Sequence, residues 1–227
     1  MLGSGVDAFI IEPTRSALPN SNKYLYDEIS NNNIPLIFLN SYYPGMNFPH
    51  VALDDVKAGY LAVKYLIDNG HRDIALMLKS DDMQGHLRYK GAMAAANDSN
   101  IVISQKNVLW FTTEDINYLE EDSRRILRYL KGCTALFCYN DQVGVKLLKL
   151  LKAKNLSIPE DCSIISIDDE KQAAVCSPPL TTIAHPKEVV GIEIAKSIFR
   201  LISGEKGNFD IDFEPQLIIR DSVKKIL

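Results

Sequence analysis

Short apolar runs alternate along this chain with stretches whose apolar residues recur every three or four positions. That alternation predicts parallel strands covered on both faces by amphipathic helices. The runs Val6–Ile11, Pro35–Leu39, His50–Leu53, Ile74–Leu78, Thr134–Tyr139, Ser163–Asp168 and Gln216–Arg220 are strand-sized and nearly continuous in Val, Ile, Leu and Phe. Sheets buried on both faces require such runs. The helical period is carried by Val56, Gly59, Tyr60, Val63, Leu66 and Ile67, with Gly70 as the stop, and by Val190, Ile194, Ile198, Leu201 and Ile202, with Gly204 as the stop. Val143, Leu147, Leu148 and Leu151 mark a third helix, and Tyr118 to Leu130 a fourth with Glu and Arg on its outer face. The fold class is α/β. No Gly/Ser-rich tether divides the chain, so two lobes, if present, are joined by short crossings.

Composition narrows the function more than the fold. The chain has 227 residues, 46% hydrophobic and 24% charged, with 25 Lys+Arg against 29 Asp+Glu and a net charge of -4. That balance supplies no basic face for nucleic acid, so this chain by itself is not expected to hold DNA. Cys133, Cys138, Cys162 and Cys176 form no C-x-x-C pair and have no His at ligand spacing, and they read as reduced thiols. No apolar run reaches a membrane span and no secretory signal is visible, which points to a cytoplasmic protein with no membrane partner.

Ligands of open α/β sheets bind beyond the carboxyl ends of the strands, so the polar residues directly after each run are the informative ones. Leu39 is followed by Asn40, Leu78 by Lys79-Ser80-Asp81-Asp82, Cys138 by Tyr139-Asn140-Asp141, and Ile167 by Asp168-Asp169. Carboxylates that accept from neighbouring hydroxyls, amides that both donate and accept, and nearby aromatic rings suit a neutral polyol. Asp and Asn after a strand also cap helices, and by that argument Asp141, Asp54 and Asp55 read as structural while Asp168-Asp169 fits either role. The four histidines are scattered, and there is no nucleophile elbow, H-E-x-x-H or phosphate loop. No catalytic residue, metal site or cofactor is assigned, and the chain is read as a binding protein rather than an enzyme.

The order of several blocks then resembles one family. Gly70-His71-Arg72-Asp73-Ile74-Ala75, Thr134-Ala135 through Asn140-Asp141, Ile158-Pro159 through Asp168-Asp169, Pro179-Leu180-Thr181-Thr182-Ile183 and Leu217 through Arg220-Asp221-Ser222 are similar to the effector domain of LacI/GalR-type repressors. Ile10-Ile11-Glu12-Pro13-Thr14, Ser80 through Gly85, Phe111-Thr112-Thr113-Glu114 and Phe213-Glu214-Pro215 resemble the arabinose repressors of Gram-positive bacteria within it. The resemblance implies a type I periplasmic-binding-protein-like fold of two Rossmann-like lobes, 1–71 plus 186–204 and 72–185 plus 205–227. It also implies that the first lobe lacks its first two βα units, about 60 residues. It implies an effector such as L-arabinose or a similar pentose held between the lobes, with a homodimer paired through the helix Val143–Leu151 and the segment Lys171–Val175. Operator DNA would be bound only through an N-terminal domain outside this sequence. Arg88, Asn140 and Asp168 fall at effector positions of the family, and Asn40 at the polar place after a first-lobe strand. Glu12, Thr14, Asp82, Gln84 and Phe111 fall near the same edge. Ser166 stands where the family usually has Gly, a change expected to alter packing more than chemistry. A sugar receptor for transport or chemotaxis shares the fold and is the alternative reading.

Overall fold

The computed structural model describes residues 5–117, 119 and 123–226, which form two compact units. Unit 1 is Met1–Asp54 with Pro186–Glu214, and unit 2 is Asp55–His185 with Pro215–Leu227. These limits correct the sequence reading at two places. The helix Asp55–Asp68 packs on the helix Met83–Asp98 and so belongs to unit 2. The strand Ile211–Phe213 pairs with His50–Leu53 and so belongs to unit 1. The chain therefore crosses at residues 54–55 and 214–215 as well as at 185–186, instead of near His71 or before Asp212.

The chain first lays down β1 (Phe9–Ile11), α1 (Lys23–Asn31), β2 (Leu36–Leu39) and β3 (His50–Leu53) of unit 1. It then builds unit 2 from α2 (Asp55–Asp68), β4 (Ile74–Lys79), α3 (Met83–Asp98), β5 (Val108–Phe111), α4 (Ser123–Leu130), β6 (Ala135–Cys138), α5 (Asp141–Ala153), β7 (Ser163–Asp168), α6 (Lys171–Val175) and β8 (Thr181–Ala184). It returns to unit 1 with α7 (Lys187–Ile202) and β9 (Ile211–Phe213), and ends in unit 2 with β10 (Gln216–Ile218).

Unit 1 is a parallel sheet in the order β1-β2-β3-β9. On one face Val190, Ile194 and Ile198 of α7 bury against Ile37 and Val51. On the other, Phe38 packs with Tyr26, Tyr43 and Phe48 at ring-centroid distances near 5.8 Å. Each such buried side chain is worth roughly 1.5–3 kcal/mol, enough to set the register of strands this short. β1 starts at Phe9 rather than at Val6, because its register meets Leu36 there and the turn at Asn33 (φ 53) offers no extended partner upstream. Pro35 has no N–H to donate and lies just outside β2; its carbonyl accepts from Phe9.

Unit 2 carries the order β10-β8-β7-β6-β4-β5, parallel except for β10. β10 stops at Ile218, since Arg220 N–H donates to the Thr181 hydroxyl instead of continuing the ladder. The helix expected over Tyr118–Leu130 is helical from Ser123, and residues 118 and 120–122 lie outside the described residues. Gly70 and Gly204 end α2 and α7 with φ of 93° and 76°. All four cysteines are free thiols. Among the described residues no helix is long and apolar enough to cross a membrane.

Candidate ligand-binding site

From β4 the chain moves outward to β5 on one side of the sheet and then to β6 on the other. This reversal is a topological switch point, the place where connections diverge and open α/β sheets take their ligands. Lys79-Ser80-Asp81-Asp82 leaves β4 there, Tyr139-Asn140 leaves β6, Phe111 ends β5 and Asp168 ends β7. Because these four strands are parallel neighbours, all four groups reach one edge of unit 2.

Arg88 arrives from α3 by a close helix crossing. A Cβ added to Gly59 would lie 2.1 Å from the Arg88 carbonyl oxygen, and one added to Gly91 would lie 1.8 Å from that of Val56. Only glycine allows α2 and α3 to approach so closely. The crossing sets Arg88 against Asp55 in the first turn of α2: Nε donates to Asp55 Oδ1 at 2.7 Å, with both residues at most 3% exposed. Nη1 donates to the Tyr139 carbonyl, and the guanidinium carbon stands 4.6 Å from the centre of the Tyr139 ring. Burial opposes the charge, yet Asp55, with Tyr139 and Asp168, holds the Arg88 pKa above its ordinary value. The Asp168 carboxylate is near enough to contribute to the stabilisation of the Arg88 charge. Asp55, read there as a cap, is instead the counter-ion.

The rest of the edge is a hydrogen-bonded group around Tyr139. Lys79 Nζ donates to Asp82 Oδ2 at 2.8 Å. The Tyr139 hydroxyl lies 3.3 Å from both Asp82 Oδ2 and Gln84 Oε1. Phe111 meets the Tyr139 ring edge-on at 6.0 Å. At 2% exposure Phe111 supports the tyrosine and is not a surface for ligand, which corrects its candidacy. Burial pushes the Tyr139 phenol far above its ordinary range, so it keeps its proton. Burial also works against the Asp81 carboxylate, but donation from Thr113 and the nearby Lys79 ammonium hold it below the usual value.

The capping role expected of Asp141 falls to Asn140, and Asp141 is structural in another way. Asn140 Oδ1 caps α5 by accepting from Val143 N–H at 3.1 Å, so only the donor half of its amide is outside the cap. Asp141 is fully buried and accepts from the Ser166 hydroxyl, the Thr182 hydroxyl at 2.7 Å and Glu170 N–H at 2.7 Å. Burial raises its pKa despite these donors. The serine at position 166 therefore adds a hydrogen bond as well as bulk. Asp141 also restrains a strained turn, in which Asp168 and Asp169 take φ of 120° and 52°. The Arg220–Asp169 ion pair holds the same turn. Two non-glycine residues in sparsely populated backbone persist only where the surroundings over-determine them, and such turns cluster at ligand sites.

Unit 1 carries a smaller set at the ends of its own strands. Asn40 Nδ2 donates to Glu12 Oε1 at 2.8 Å, while Asn40 Oδ1 is buried with no hydrogen-bond partner among the described residues. Asn40 takes φ of 61°, a conformation asparagine tolerates better than most. Thr14 contributes its carbonyl to the Tyr43 hydroxyl at 3.0 Å, and its side chain is exposed. Among the described residues no group of His, Cys, Asp and Glu is arranged to hold a metal ion.

Residues 63–223 match the family model described as a periplasmic binding protein-like domain. The chain is 35% identical over 230 residues to an arabinose metabolism transcriptional repressor of Halalkalibacterium halodurans, covering 98% of this chain and 61% of that protein. It is 34% identical over 232 residues to the arabinose metabolism transcriptional repressor of Geobacillus stearothermophilus, covering 100% of this chain and 64% of that protein. The chain thus spans somewhat under two thirds of these relatives. Its fold is similar to a LacI family transcriptional regulator from Enterococcus faecium solved with bound ribose, with a TM-score of 0.84, 27% identity and coverage of 98% of this chain and 81% of that one.

Proposed function

Because the chain belongs to the periplasmic-binding-protein-like family, as a LacI/GalR-type effector-binding domain, we propose that it binds a small neutral sugar, L-arabinose or a similar pentose, without chemical change. Binding would control the operator affinity of a DNA-binding domain outside this sequence, in a cytoplasmic homodimer. The arabinose repressors among its relatives and the ribose held by one structural neighbour support a pentose.

The observation that carries the neutral class is the charge at the unit 2 edge. Arg88 is matched by Asp55 and Lys79 by Asp82, and Asp168 and Asp81 add further negative charge. An anionic sugar phosphate would enter a site whose cations are already paired and in which carboxylates outnumber them. Polyol hydroxyls, in contrast, find carboxylates, an amide and a phenol to bond with. Allostery follows if the sugar favours one of two states that present the DNA-binding domains differently. The test is operator binding by the full-length protein in the presence of pentoses. L-arabinose is expected to change operator affinity at least fivefold, and an unchanged affinity across all pentoses would remove the proposal.

A further inference from the structure

We infer that Tyr139 is the specificity-determining residue of this site, its phenol reading the orientation of one sugar hydroxyl through Asp82 and Gln84. The inference rests on the sugar-binding reading above and adds to it a residue that the family blocks did not single out. Tyr139 is the first residue after β6, on the switch-point side of the sheet. Its environment fixes it from every direction: the Arg88 guanidinium over the ring, Phe111 at the ring edge, and its own carbonyl taken by Arg88. At 6% exposure the ring is almost wholly buried.

The hydroxyl is where the packing leaves a choice. A neutral phenol has one proton, and two acceptors stand at the same 3.3 Å distance, Asp82 Oδ2 and Gln84 Oε1. Lys79 already donates to that Asp82 oxygen, while Gln84 is only half-buried. The phenol can satisfy one acceptor at a time and can itself accept one further hydrogen bond. A ligand hydroxyl that donates to Gln84 commits the phenol proton to Asp82, and one that donates to the phenol oxygen completes the chain of bonds. A sugar epimer that places this hydroxyl elsewhere leaves a buried polar group unmatched. Sites built to hydrogen-bond one hydroxyl reject the wrong analogue strongly for this reason.

Tyr139→Phe tests the role because it keeps the ring, the cation–π contact and the Phe111 packing while removing the hydroxyl. Calorimetry on full-length wild type and variant would use L-arabinose and three single-centre epimers, L-ribose, L-lyxose and D-xylose. The expected result is about tenfold weaker L-arabinose binding in the variant, with less than a threefold change for the epimers. The selectivity ratio then collapses while the thermal midpoint holds within a few degrees. If L-arabinose and its epimers weaken equally, Tyr139 is only a packing residue and the inference is overturned. If wild type binds none of the four pentoses, the sugar-binding reading itself falls and takes this inference with it. Tyr139→Leu is the control for the ring: it should weaken all ligands and lower the thermal midpoint, and retained selectivity in that variant would also contradict the role.

Discussion

Both units set polar residues at the carboxyl ends of parallel strands, but they do so with different sheets. Unit 1 runs its strands in one direction of order, β1-β2-β3-β9, and its strand-end groups are Glu12, Thr14 and Asn40, of which Glu12 and Thr14 are exposed. Unit 2 reverses direction at β4, and at that reversal it buries Arg88, Asp55 and Tyr139 and restrains Asp168 by a strained turn. Preorganisation follows from that difference. A buried ion pair with further hydrogen bonds loses little entropy when a ligand arrives, whereas exposed side chains on short loops must first be ordered. The preorganised groups thus lie in unit 2.

The largest effect expected from breaking this asymmetry is on stability. Arg88→Met would take from the buried Asp55 its ion-pair partner and should destabilise unit 2 by about 3–5 kcal/mol in urea unfolding. Adding Asp55→Leu should restore most of that loss while leaving sugar binding absent. A single variant as stable as wild type would show that the pair is not buried as described. Next in size is the ligand response: Asp168→Asn should weaken sugar affinity by one to two decades, about 1–3 kcal/mol. Asn40→Ala in unit 1 should weaken it less than about tenfold. Calorimetry on both variants ranks the units directly, and a larger loss at Asn40 would invert the comparison.

The contrast between the units also explains what the sequence revealed and what it concealed. Strands buried on both faces, such as His50–Leu53 and Ser163–Asp168, are continuous apolar runs, and their observed limits match those read from the chain. β5, β8 and β9 are not among the runs read from the chain, although β5 and β8 are as long as the legible β3. α3 was hidden for a physical reason. Its buried face is Gly85, Arg88, Gly91, Ala92, Ala95 and Ala96, so it offers no stripe of large apolar residues to read. The family blocks pointed to Arg88 and Asp168. Nothing local in the sequence tells that Asn140 caps α5 and Asp141 is buried, since both residue types serve either role and only tertiary packing decides. Tyr139 stands inside a quoted block, yet its surroundings come from Arg88, Asp82, Gln84 and Phe111, which lie far from it along the chain.

The smallest expected effect is on pH dependence, where the two units should diverge. In unit 1 the His50 ring lies 3.1 Å from Asp210 and 3.4 Å from Asp212, against Tyr42. Burial opposes its charge, but the two carboxylates raise its pKa above 6.5. Its contribution is therefore fully present below pH 6.5 and is lost as pH rises through the raised folded value. In unit 2 His71 is fully buried, accepting from the Thr134 hydroxyl and donating to the Lys224 carbonyl, and burial lowers its pKa below 6.5. Its contribution is present above pH 6.5 and is lost as pH falls toward the lowered folded value. Amide hydrogen exchange, corrected for intrinsic rates, should thus show β3 and β9 loosening toward high pH and β4 and β6 loosening toward low pH. His50→Gln should abolish the first trend and His71→Gln the second; the same trend in both units would break the distinction.

The central claim is that the unit 2 edge, with its cations already paired, selects a neutral sugar over an anionic one. The most direct measurement is calorimetric titration of the full-length protein with L-arabinose and, separately, with glucose 6-phosphate. The account predicts saturable heat from L-arabinose and none from the phosphate at the same concentrations. Tight binding of glucose 6-phosphate with no heat from L-arabinose would contradict it.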